Sequence, residues 1–208
     1  KIKDWRGIIK GPWIHQNIID AISNISKNKK VSGGIKVHES DGFCGALPYF
    51  LFFKSFKNLK KIISLVCASK ISIKYALAKF HLINLALNGK SNPINTFLKK
   101  YKKDLYFKEV VNGINRVKRL KSIHHSAAVK KLGITCRYPG TFDSSIHAII
   151  NSKSYKSAIL KTIRAGGCNC SRSNFIGSYF AALNGVSSIP KKWIAKCIHS
   201  RNILLKGQ

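Results

Sequence analysis

The residues with the most chemical potential lie between two expected helices, in Ile163-Arg164-Ala165-Gly166-Gly167-Cys168-Asn169-Cys170-Ser171-Arg172. Adjacent glycines allow a tight backbone turn. The residues after them open the next helix, where free N–H groups and the helix dipole favour anions. Gly166, Gly167, Asn169, Ser171 and Arg172 are therefore candidates for binding an anionic substrate. Cys168 and Cys170, with Cys197 and His199, make a four-ligand set of zinc-binding types. The two pairs lie far apart in sequence and Cys197 falls on an apolar helix face, so inert thiols are expected.

Histidines offer three further groups. His38-Glu39-Ser40-Asp41 is the one stretch where a histidine and two acids adjoin. Such a set suits general-base chemistry, although a solvated turn is the expected state. His124-His125 reads as a solvated loop pair, because adjacent helical residues diverge. His81 and His147 fall inside helical patterns and read as boundary residues. Phe175, Tyr179 and Phe180 read as core.

The elements that must position these groups are helical. Apolar residues recur at helical spacing in Ile73, Leu77, Phe80, Ile83 and Leu87, and Gly89 ends that run. Pro93 opens a helix with Phe97, Leu98, Tyr101 and Leu105 behind it. Val110, Ile114, Val117 and Leu120 mark another. After Tyr138-Pro139-Gly140, Thr141 or Asp143 starts a helix with Phe142, Ile146, Ile149 and Ile150 on one side. Tyr155, Ile159, Thr162 and Ile163 form the next, ended by Gly166-Gly167. Ser171 is the expected N-cap of a helix closed by Gly185. Pro190 starts the last, with Trp193, Ile194, Cys197 and Ile198 inward. Lys27 to Gly34 is a loop, and no segment alternates with the period of a strand. The expected class is all-α, a compact orthogonal multi-helix bundle in a single domain over 1–208.

Composition bounds the partners. Hydrophobic residues make up 45% of 208, enough for a sizeable core. Lys and Arg number 38 against seven acids, a formal charge of +31. That charge predicts loose attraction to polyanions. It is spread along the chain and rich in Lys, unlike the concentrated basic stripe of a nucleic-acid module. The apolar run Phe43 to Phe53 is too short to span a bilayer and contains Pro48. Six scattered cysteines, and a leading segment without an apolar leader core, predict a reduced cytoplasmic protein. There is no methionine, which predicts a piece of a longer chain.

The run from Cys136 to Trp193 resembles the ADP-ribosylglycohydrolase family, in particular its J-class crystallin-like branch. The family's turn reads Gly-Gly-Asp-Thr-Asp-Ser, where this chain has Gly166-Gly167-Cys168-Asn169-Cys170-Ser171. Ile189-Pro190-Lys191-Lys192-Trp193 matches an Ile-Pro-x-x-Trp pattern downstream. Tyr138-Pro139-Gly140 and the helix after it match a proline-glycine turn upstream. His38-Glu39-Ser40-Asp41-Gly42-Phe43-Cys44-Gly45-Ala46-Leu47-Pro48 is similar to a loop that approaches the ADP-ribose phosphates. Trp5-Arg6-Gly7 and Gly11-Pro12-Trp13 resemble the crystallin-like branch.

The resemblance implies a magnesium-dependent hydrolase of ADP-ribosyl glycosidic bonds. Asp41, Gly42 and the 166–172 turn would bind ADP-ribose, and Cys168 and Cys170 would stand at the metal-ligand positions. The departures imply something else. Thiols are poor ligands for magnesium. No Asp-Asp pair is present, so the chain would begin after the family's first acidic cluster. The Asp41 loop lacks the family's arginine. A non-catalytic paralogue, structural or ADP-ribose-binding, is the alternative.

Overall fold

The computed structural model describes residues 14–200, which fall into two compact units, 1–73 and 74–208. Trp5-Arg6-Gly7 and Gly11-Pro12-Trp13 lie outside the described residues. The described residues are all-α. Their β features are isolated bridge positions, among them a bridge between Gly34 and Cys67.

The first unit holds α1 (Gln16–Ser26), α2 (Asp41–Phe53) and α3 (Leu59–Ser64). Phe43, Ala46 and Phe50 of α2 and Leu59 and Ile63 of α3 are fully buried. Gly42 allows this packing, since a Cβ there would stand 2.9 Å from Ile63 Cγ2 and 3.0 Å from its carbonyl. Pro48 sits inside α2, and Lys54 ends it in a left-handed conformation. No described helix is long and apolar enough to cross a membrane.

The chain passes into the second unit through α4 (Lys70–Leu87). That helix ends as expected at Gly89, where Lys90 N donates to Leu85 O and Gly89 N to Ala86 O, both at 3.0 Å. There follow α5 (Pro93–Lys100), α6 (Lys108–Arg119), α7 (His125–Leu132), α8 (Gly140–Ile150), α9 (Tyr155–Arg164), α10 (Asn169–Asn184), a short 3-10 turn (Val186–Ser188) and α11 (Lys191–Lys196). Three caps come from side chains: Ser69 accepts from Ser72 N at the start of α4, Asn92 accepts from Asn95 N, and Ser154 and Ser157 form a reciprocal box.

Several expectations need correction. α5 ends at Lys100, and Leu105 beyond it is 85% exposed. Ile163 is half exposed, Cys197 exposed and Ile198 92% exposed, because helical spacing was extrapolated past the packed turns. α10 begins at Asn169 with Cys168 as its N-cap, so Ser171 lies in the first turn. The largest departure is α8. It packs against α6, α7, α9 and α10 and is buried on every side from Gly140 to Ile149. A helix wrapped by four neighbours has no solvent face. Its polar residues are instead bonded inside: Ser144 Oγ donates to Gly133 O at 3.0 Å and Ser145 Oγ to Thr141 O at 2.7 Å.

Candidate functional site

The turn between α9 and α10 has the backbone the sequence called for. Gly166 and Gly167 both take left-handed φ, +73° and +68°. Gly167 is doubly constrained, because a Cβ there would collide with Ile134 O. Cys168 N donates to that same carbonyl at 2.7 Å and Asn169 N to Gly167 O at 2.8 Å. α10 then starts, with first-turn N–H groups that no helical carbonyl can satisfy.

Arg172 is fully buried and faces back into the turn rather than outward. Its Nε donates to Thr162 Oγ1 at 2.8 Å. Its Nη2 donates to Asn169 Oδ1 at 2.9 Å and to Gly166 O. One guanidinium thus ties the end of α9 to the start of α10. Burial lowers its pKa from the ordinary value, and Cys168 opposes that shift. The geometry makes Arg172 a positioning residue for the turn.

The two thiols differ. Cys168 is half-buried, with Sγ 3.2 Å from Ser171 Oγ, while Cys170 is exposed. The ligand atoms of Cys168, Cys170, Cys197 and His199 do not gather within 4.8 Å of one another, which removes the zinc set. Magnesium does not fit the pair either. It demands hard oxygen donors, and here one thiol is engaged with a hydroxyl and the other is open to solvent. No magnesium-dependent step can be drawn through Cys168 and Cys170.

Asp41 and Gly42 lie in the first unit, in the first turn of α2 rather than in a loop. Gly42 is buried and spends its lack of a side chain on packing. Glu39 is 8% exposed and Ser40 fully buried, so the expected solvated turn is a buried one. The groups that hold it were not anticipated. His15 Nδ1 stands 3.0 Å from Glu39 Oε2 and 2.9 Å from Asp41 Oδ2. Asn17 Nδ2 donates to the same two oxygens, at 3.1 and 3.0 Å. Pairings across more than twenty residues leave no spacing signal in a single sequence. Cys67, buried nearby, has its thiol pushed up to about 12 by desolvation, with Asp41 and Glu39 adding to the effect.

The second unit also joins two histidines that sequence treated separately. His125 and His147 are 4% and 0% exposed. Their Nδ1 atoms lie 3.0 Å apart, and His147 Nε2 meets Leu120 O at 3.0 Å. A carbonyl only accepts, so His147 carries its proton on Nε2 and accepts at Nδ1 from His125. His125 Nε2 is then a buried lone pair without a partner. Desolvation lowers both pKa values, that of His125 to about 3, with His147 and Arg172 contributing. Neutral imidazoles at physiological pH form part of the core here. His81, on α4, is likewise held down to about 4 by burial.

Other buried charge is also matched. Asp143 on α8 pairs with Arg116 on α6, and Gly113 leaves room for its carboxylate. Fully buried Lys79 sits 4.9 Å from the Tyr138 ring centroid and 5.3 Å from that of Phe175.

The sequence model of the ADP-ribosylglycohydrolase family matches residues 13–206. The chain is 26% identical over 202 residues to Crystallin J1A of Tripedalia cystophora, covering 94% of this chain and 61% of that protein. Crystallin J1B of the same organism is 25% identical over 202 residues, with the same coverage. The chain thus spans about three fifths of the length of the curated relatives it matches. Among solved structures, an ADP-ribosylglycohydrolase-related protein complex is similar at a TM-score of 0.71 and 13% identity, covering 93% of this chain and 67% of that one. That last likeness is one of fold.

Proposed function

The chain belongs to the ADP-ribosylglycohydrolase family, and from that premise we propose that it recognises ADP-ribosyl groups without hydrolysing them. One observation carries the reading: the 166–172 turn keeps its two left-handed glycines and its helix start while thiols occupy the metal-ligand positions. In this reading Gly166, Gly167, Asn169 and Ser171 present the α10 N-terminus to a phosphate or ribose oxygen. Arg172 fixes the turn by holding Thr162 and Asn169. Hydrolysis would need a hard cation to orient the ribose and activate water, which Cys168 and Cys170 cannot hold. Six cysteines without a disulfide among those described support a reducing, cytoplasmic setting.

Similarity to two crystallins supports a second reading, a structural protein that binds no nucleotide. Isothermal titration with ADP-ribose, with and without magnesium, separates the two. Binding of equal strength in both conditions, with no hydrolysis, supports recognition without chemistry. Binding that strengthens with magnesium, or turnover, overturns it in favour of an active hydrolase. No binding leaves the structural reading. The charge of +31 adds a background attraction to polyanions, which steep weakening by salt would identify.

A further inference from the structure

The acids of the second unit are Asp104, Glu109 and Asp143. Each is engaged locally. Asp104 Oδ1 accepts from Phe107 N at 2.9 Å, Glu109 pairs with Lys74 at 2.6 Å, and Asp143 pairs with Arg116. Among the described residues, none is paired with Lys118, in the last turn of α6, or with Lys121 just beyond it. The Lys118 ammonium donates instead to Asn95 Oδ1 at 3.2 Å. These two cations stand together at the rim of a cavity of about 410 Å³.

The cavity has two contrasting parts. Its floor is Ile94 of α5, Ile149 of α8, and Tyr179 and Phe180 of α10, all buried. Its rim is exposed and carries Asn95, Lys118 and Lys121, with no acid in the lining. Small-molecule sites fall in the range of about 300–1,000 Å³ and combine apolar walls with a few convergent polar groups. Ser152 adds an independent sign. It lines the same cavity, and its Oγ is buried without a hydrogen-bond partner. Buried hydroxyls are ordinarily bonded, and an occupant of the cavity would supply the missing partner.

Helix ends do not reverse the sign of the rim. The N-terminus of α5 adds to it, while the C-terminal ends of α6, α8 and α10 oppose it, each worth about half an elementary charge at most. Lys161 Nζ already donates to Asn151 O at the end of α8. Two full ammonium charges outweigh what remains.

We propose that this cavity binds a small amphipathic organic anion, with its apolar ring or chain on Ile94, Ile149, Tyr179 and Phe180 and its carboxylate or phosphate head between Lys118 and Lys121. A bare inorganic anion would leave the floor unfilled, and a neutral apolar molecule would leave the lysines unpaired. The site is separate from the 166–172 turn and does not rest on ADP-ribose recognition. Tyr179 follows Asn169 along α10 by about 15 Å at the helical rise.

The test is calorimetric titration of the full chain with naphthoate, naphthyl phosphate, naphthol and inorganic phosphate. Salt is held at about 150 mM, where attraction beyond about 8 Å is screened. Saturable binding of one molecule per chain is expected for naphthoate or naphthyl phosphate, and the tighter of the two identifies the head. Naphthol and inorganic phosphate should bind at least about tenfold more weakly. Lys118→Ala with Lys121→Ala should weaken the preferred ligand by about tenfold or more. Lys130→Ala with Lys131→Ala, which removes two exposed lysines of α7 outside the cavity, should change binding less than about twofold. Leu183→Trp should block binding by filling the cavity from its half-buried wall. If that variant fails to fold, the exposed lysine pairs decide. Absence of saturable binding by both charged ligands overturns the proposal. Naphthol binding as tightly as they do, or equal weakening by the two lysine pairs, overturns it as well.

Discussion

The α9–α10 turn and the polar cluster around Asn17 bury charge by opposite means. In the turn a single cation, Arg172, is surrounded by acceptors that backbone and neutral side chains supply. In the cluster two carboxylates are surrounded by an imidazole and an amide, and one buried acceptor is left over. The turn holds its shape with thiols at positions 168 and 170, and it leaves Arg172 Nη1 buried without a hydrogen-bond partner. The cluster likewise leaves one polar atom over, the amide oxygen of Asn17. Uncharged acceptors fix a turn around one cation, whereas the carboxylates are held by donors from more than twenty residues away.

The sharpest way to break this contrast is Arg172→Met. It leaves Thr162, Gly166 and Asn169 acceptors without their donor, and each buried acceptor left unpaired costs about 1–3 kcal/mol. Urea unfolding should show that loss, and Asp41→Asn should show less. A near-neutral Arg172→Met would mean the turn is held by its glycines alone.

The glycines come next. Gly167→Ala should cost about 2 kcal/mol or more, since strained φ adds to a collision with Ile134 O. Gly166→Ala meets no atom within 4 Å and should cost about 1 kcal/mol from φ alone. Equal losses in the two would remove Ile134 from the account.

Acid separates the regions further. His125 has its pKa lowered from 6.5 to about 3 in the folded chain, so the unfolded chain takes up its proton first. Stability is then full above pH 6.5 and falls as pH drops from 6.5 toward 3. This one group should contribute about 2 kcal/mol of loss between pH 7 and 5. His125→Phe should flatten that slope in urea midpoints, and an unchanged slope would assign the acid sensitivity elsewhere. The smallest effect is expected for Cys170→Ser, an exposed thiol, which should shift stability by less than about 0.5 kcal/mol. A large change there would give Cys170 a role the structure does not suggest.

Much of this protein was legible in its residues. Helical spacing, Gly89, Pro93 and the Gly166-Gly167 pair placed α4, α5 and the key turn, because local backbone preferences act over a few residues. The matching block from Cys136 to Trp193 gave the family. The substitution of thiols for carboxylates spoke against magnesium from residue type alone.

Other features needed tertiary structure. His147 read as a boundary residue of a helix apolar on one side, yet α8 is enclosed by four helices and His147 is fully buried. Arg172 read as a hand toward substrate and is the clasp of its own turn. His125 and His147, and His15 and Asn17 with Glu39 and Asp41, meet across 22 or more residues. Periodicity reports which face of a helix is apolar, but not how many neighbours will cover the other faces. Burial and long-range pairing depend on where the chain returns, and that is decided when the core closes.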